Sequence, residues 1–141
     1  MKDGFEMLVA AVAKSVKHEL SARRFTDRLI MQKGCFILNS WHYGPIYHYN
    51  LYIRGPYSKE LADDYYRMKE IPSYTDIPPE AIADLTAIFD KGLGYAEAYA
   101  TVLLIKENSK DASSESILNR ALELKPRLES EVREACTYLL N

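Results

Sequence analysis

One stretch of this chain departs from the rest. Between the pairs Gly44-Pro45 and Gly55-Pro56, apolar residues recur at every second position, while the flanking sequence repeats them at three and four. Tyr47, Tyr49, Leu51 and Ile53 alternate with His48, Asn50, Tyr52 and Arg54, the pattern of a strand with one buried face, and the second Gly-Pro pair is expected to break it. Ser58 then stands where an N-cap belongs, ahead of a helix from Lys59 to about Lys69. A lone strand cannot satisfy its own backbone, so it needs a partner, and the proline-rich segment Ile71 to Pro78, with Ser73–Ile77 extended, is the expected one. The fold must therefore be mainly helical with a small β element built around this stretch.

The same stretch concentrates chemistry. Seven of the eleven tyrosines fall between Tyr43 and Tyr66. Tyrosine joins a large apolar ring to a polar tip and loses little side-chain entropy when fixed, so such a cluster suits both a small core and an interface. Arg54 shares a strand face with Tyr52, an arginine and aromatic pairing typical of binding hot spots; a salt bridge to Asp63 or Asp64 is the structural alternative. The candidate partner-binding surface is Trp41, His42, Tyr43, Tyr47, Tyr52, Arg54 and Tyr57.

Outside this stretch the periodicity is helical. Asp3 is placed to cap a helix reaching about Leu20. Thr26 is placed to cap a second, with Asp27 at the positive end of its dipole and Phe25 and Ile30 spaced as a hydrophobic staple. Gly34 inside that helix costs about 1 kcal/mol of propensity and is expected to let another backbone approach closely. Pro79 opens another helix that stops at Gly92. Three more follow, Tyr95 to Asn108, Ser114 to Lys125 and Leu128 to Leu140, with short joints that favour antiparallel neighbours. The expectation is one domain over residues 1–141, with a helix and strand region over residues 1–70 and a helical array over residues 79–141. Six or seven helices and a small hairpin or two-stranded element make it up, and the N-terminal half has a winged-helix-like order.

Arg28-Leu29, Gln32-Lys33, the run Cys35-Phe36-Ile37-Leu38, the strand Tyr49 to Ile53 and Gly55-Pro56-Tyr57-Ser58-Lys59-Glu60-Leu61-Ala62-Asp63-Asp64 resemble an uncharacterised prokaryotic group called YwgA-like. That group is distantly similar to the Panacea (SocA-like) antitoxin domain. The resemblance covers about residues 22 to 70 and, weakly, the tail from Leu124-Lys125-Pro126 to Leu139. It implies a mostly helical fold with a small sheet, names no enzyme activity, and implies a binding function, antitoxin-like or regulatory, by direct protein contact. The loop Trp41 to Tyr47 is shorter and more aromatic than in Panacea domains.

Charge and motifs narrow the classes. The net charge is −2, but Lys14 to Lys33 carries six basic residues against Glu19 and Asp27. Solvated helix faces explain this, and so would a groove of Arg23, Arg24, Arg28 and Lys33 that steers an acidic partner or nucleic acid. Helix, helix, strand, helix and wing is also a winged-helix order, which makes a DNA-binding regulator the alternative reading; a pI near 5.9 argues against it. The three histidines lack metal-site spacing, Cys35 sits in an apolar helical run, and no phosphate loop or dinucleotide fingerprint occurs, so no catalytic residue, metal or cofactor is expected. Asp63, Asp64 and Glu60 near a helix start are explained by the dipole. With no long apolar run and no signal-peptide pattern, a cytoplasmic protein that stays off the membrane is expected, its partner another protein or a second copy of itself.

Overall fold

The computed structural model describes residues 1–140. Within them, the elements in chain order are α1 (Phe5–Lys14), α2 (Phe25–Ser40), β1 (Asn50–Tyr52), β2 (Gly55–Tyr57), α3 (Lys59–Arg67), α4 (Pro79–Asp90), α5 (Leu93–Asn108), α6 (Ser114–Leu124) and α7 (Glu129–Leu139), with a 3₁₀ turn at Pro126–Leu128 before α7. The fold is mainly α with one small hairpin, as the periodicity requires. No described helix is long and apolar enough to cross a membrane.

α5 is the axis. Every residue from Tyr95 to Ile105 except Glu97 is buried, because α2, α4, α6, α7 and β2 all pack around it. A helix that is apolar all round belongs at the centre of such an array. α1 lies on α2 through Gly34, where a Cβ would stand 2.7 Å from a Val12 methyl; the tight packing expected there is made, but by a side chain of α1 and not by a backbone.

The hairpin corrects the expected strand pairing. β1 pairs antiparallel with β2 in the register Asn50↔Tyr57, Leu51↔Pro56 and Tyr52↔Gly55. Gly55-Pro56 therefore begins the partner strand, and Ser73–Ile77 forms none. Proline is tolerated in so short an edge pairing. Gly55 adopts φ 100, a conformation glycine takes without cost, and lies against Thr101 and Glu97 of α5. Tyr47 and Tyr49 point inward and His48, Asn50, Tyr52 and Arg54 outward as the alternation demands, but Ile53 is 83% exposed because it occupies the turn.

Two helix starts also differ. α1 begins after Gly4 without a side-chain cap and ends at Lys14, where the Ser15 hydroxyl donates to the Val12 carbonyl. α2 starts at Phe25, one residue before Thr26, and Phe25 is exposed, so no staple forms. Asp27 organises that end instead, accepting from the Ser21 N–H, His18 and Arg24. Burial works to raise its carboxyl, and these bonds outweigh it and hold the group below the usual carboxylate range. Ser58 caps α3 as expected, its hydroxyl accepting from the Leu61 N–H at 3.2 Å.

Candidate functional site, the hairpin face

The turn between β1 and β2 is Ile53-Arg54, which lacks the glycine or asparagine that two-residue turns favour. Its stability comes from beneath. Lys33, 1% exposed on α2, donates to the Arg54 carbonyl at 2.7 Å. Lys125, buried at the end of α6, donates to the carbonyls of Tyr52 and Ile53 and pairs with Glu97 of α5 at 3.4 Å. Two buried ammonium groups thus hold three successive carbonyls, with one carboxylate between the helices to offset their charge. Burial pulls Lys33 down to about 8; Glu97 opposes that, while Lys125 and Arg54 reinforce it. Further down the hairpin, the Gln32 side chain donates to the Ser58 carbonyl at 2.9 Å and accepts the Ser58 N–H at 2.8 Å, clamping the start of α3 to α2.

A firmly held turn presents its outer side chains. Tyr52 is 56% exposed and faces Gly55, which has no side chain, so its ring leans diagonally on Tyr57 at 5.3 Å, edge to face. Tyr57 lies close to Tyr65, whose ring meets exposed Tyr66 at 5.0 Å. On the other side of the turn, the Arg54 guanidinium lies 5.8 Å from the Phe25 ring centroid and Arg28 approaches the same ring at 5.7 Å. Exposed Tyr66, Tyr52, Ile53, Arg54 and Phe25, with half-buried Tyr57 among them, form one aromatic face with an arginine in it. Sequence periodicity does not single out Phe25, Ile53 or Tyr66 for this face. Their only signal is apolar character, and for Phe25 and Ile53 the pattern assigns that to the interior.

The remaining candidate residues do not join this face. Tyr47 is 3% exposed, its hydroxyl donating to Asp64 at 2.5 Å; burial and that carboxylate push its phenol far up. It is a core residue. His42 lies exposed past the end of α2 at φ 72, where its N–H reaches the Asn39 carbonyl and the Tyr43 N–H reaches that of Leu38, a Schellman closure with histidine in the place of glycine. Trp41 and Tyr43 are half-buried and line a different cleft, between α4, α5 and α7. The loop from Tyr43 to Tyr49 is shaped by Asn39, a residue no sequence pattern marks: its amide donates to the carbonyls of Tyr43 and Pro45 and accepts from the Tyr47 N–H and the Tyr49 hydroxyl.

Nor do the basic residues line one groove. Lys33 is buried, Arg24 is bound to Asp27 and the Glu19 carbonyl, and Arg28 donates to the Ala22 carbonyl, leaving Arg23 exposed at the surface. The Arg54 to Asp63 or Asp64 bridge is not made, since Asp64 takes the amino terminus, the Lys2 N–H and Tyr47. Cys35 is fully buried, and burial pushes its thiol up and away from the reactive thiolate.

No protein-family model matches this chain, no curated protein matches it, and no solved structure matches it.

Proposed function

We propose that the protein is a non-enzymatic binding module whose partner is another protein, and that the hairpin face is where it docks. The observation that carries this reading is the exposed set Tyr66, Tyr52, Ile53, Arg54 and Phe25, with half-buried Tyr57 beneath Tyr52, mounted on a turn fixed by buried Lys33 and Lys125. Solvent-facing aromatics grouped around an arginine are the composition of interface hot spots, and a rigid mount lowers the entropy lost on association. β1 also keeps an unpaired edge: among the described residues, neither Asn50 nor Leu51 has a backbone hydrogen bond beyond the hairpin. An extended segment of a partner, or β1 of a second copy, could pair there. The resemblance to YwgA-like and Panacea sequences supports the same kind of role, antitoxin-like or regulatory, exercised by direct contact.

The test is affinity capture of the tagged chain from its own cells, with nucleic acid digested in half of the sample and Tyr52→Ala/Arg54→Ala run alongside. A discrete protein retained in both halves and lost with the double variant is the expected result. Capture that vanishes on digestion would favour the DNA-binding alternative.

A further inference from the structure

Away from the hairpin, α4, α5 and α7 enclose a cleft of about 620 Å³, a volume suited to a small ligand. Its walls carry five aromatic rings, Trp41, Tyr43, Tyr95, Tyr99 and Tyr138. Tyr95 and Tyr99 are tilted at 6.0 Å and Tyr99 and Tyr138 at 6.2 Å, so these three rings form one connected surface. Ring faces carry negative electrostatic potential and attract cations. One instance is already present, since the Lys91 ammonium sits 5.2 Å from the Tyr95 centroid.

The charges at the mouth add a sign. Lys91 is neutralised by Glu134, and Lys106 donates to the Leu139 carbonyl at 3.0 Å, where the end of α7 favours a positive group. Glu80 and Asp84, one turn apart on α4 and also lining the cleft, have no ion-pair or hydrogen-bond partner among the described residues. Lys91 is thus compensated, Lys106 keeps its charge tied to the end of α7, and with Glu134 counted three carboxylates face two ammonium groups, a net negative mouth. The geometry points to a binding site for a small organic cation, an alkyl- or aryl-substituted ammonium, with its charged head between the aromatic walls and the Glu80 and Asp84 carboxylates. The buried rings of Tyr95 and Tyr99 keep water from that wall and strengthen the cation–π attraction, while exposed Glu80 and Asp84 add their charge from the mouth. This site is independent of the hairpin face.

Trp41 is the single tryptophan and lines the cleft, so its emission reads occupancy directly. Benzyltrimethylammonium should give a saturable change. Its neutral isostere neopentylbenzene and the anion phenylacetate should bind at least about tenfold more weakly, the size of a desolvated cation–π contact. Glu80→Gln/Asp84→Asn, both on the exposed face of α4, should weaken the cation at least about tenfold and leave the neutral compound unchanged. Tyr138→Ala, removing an exposed ring, serves as a second variant with the same expected direction. Tyr52→Ala/Arg54→Ala should bind the cation as the wild type does. No saturable change with the cation, equal binding of the neutral isostere, or undiminished affinity in both cleft variants would overturn the assignment.

Discussion

Lys33 makes the support of the hairpin measurable through pH. Burial holds its ammonium at about 8 in the folded chain against the ordinary 10.5. Below the folded value both states carry the proton and the cost of burying the charge is fully present. Between the two values the unfolded chain keeps a proton the folded chain has released, so stability rises with pH by at most about 1.4 kcal/mol per unit. From about pH 7 to about pH 9 the gain is roughly 1.3 kcal/mol, or about 5 °C in melting temperature for a domain of this size. Cys35 and Cys136 pull the other way, because burial raises their thiols while the unfolded thiols ionise near 9.0. Buried Tyr65, held up to about 12, and Tyr49, raised by burial, erode stability once unfolded tyrosines ionise above 10.0. The raw profile is therefore muted, and the difference between wild type and Lys33→Met isolates the lysine. Urea melts of both proteins across this range should show that difference shifting toward the wild type by roughly 1.3 kcal/mol. A difference that stays constant to within about 0.5 kcal/mol would mean that Lys33 is not a buried ammonium under the turn, and the account of the mount would fail.

Four further outcomes are expected. Ser58→Ala removes the acceptor for the Leu61 N–H and should cost about 0.5 to 2 kcal/mol by thermal or chemical melting. Gln32→Leu strands the buried Ser58 N–H while the Ser58 carbonyl keeps its bond from Ala62, so a loss of about 1 to 3 kcal/mol is expected, and an unchanged melt would refute the clamp. His42→Gly relieves a left-handed residue and should stabilise by up to about 1 kcal/mol, with capture of the partner unaltered if His42 lies outside the docking face. Tyr52→Ala/Arg54→Ala should leave the melting curve within about 1 kcal/mol of wild type, since both side chains are exposed, yet weaken association by more than about 1 kcal/mol.

The features of this fold that are legible in the sequence are those governed by local rules. Ser58 caps because a serine before a helical run has few better uses, Pro79 opens α4, and Gly34 marks contact with Val12. The hairpin is visible only by half. Its central residues, Ile53-Arg54, carry no turn signal of their own; the positive-φ glycine of the turn is Gly55, and the groups that hold it from beneath are Lys33 and Lys125, distant in sequence and of a type ordinarily read as solvated. With the turn hidden, the Gly55-Pro56 pair reads as a terminator when it is the first half of β2. The candidate site is divided for the same reason. Alternation places Tyr52 and Arg54 outward correctly, but it cannot show that Tyr47 is tied to Asp64, or that Trp41 and Tyr43 turn toward α5 and α7 and away from the hairpin. Phe25 is exposed because Asp27 anchors the start of α2, leaving the ring free to meet Arg54.

The most direct test of the docking face is site-specific photo-crosslinking in the native cell, with a photoreactive phenylalanine replacing Tyr52 and, in parallel, Glu115 at the opposite end of α6 from Lys125. The account predicts a discrete adduct of the 16.2 kDa chain with one protein at position 52, insensitive to nuclease, and none at position 115. Adducts of equal yield at both positions, or none at position 52 where the chain is folded and expressed, would contradict it.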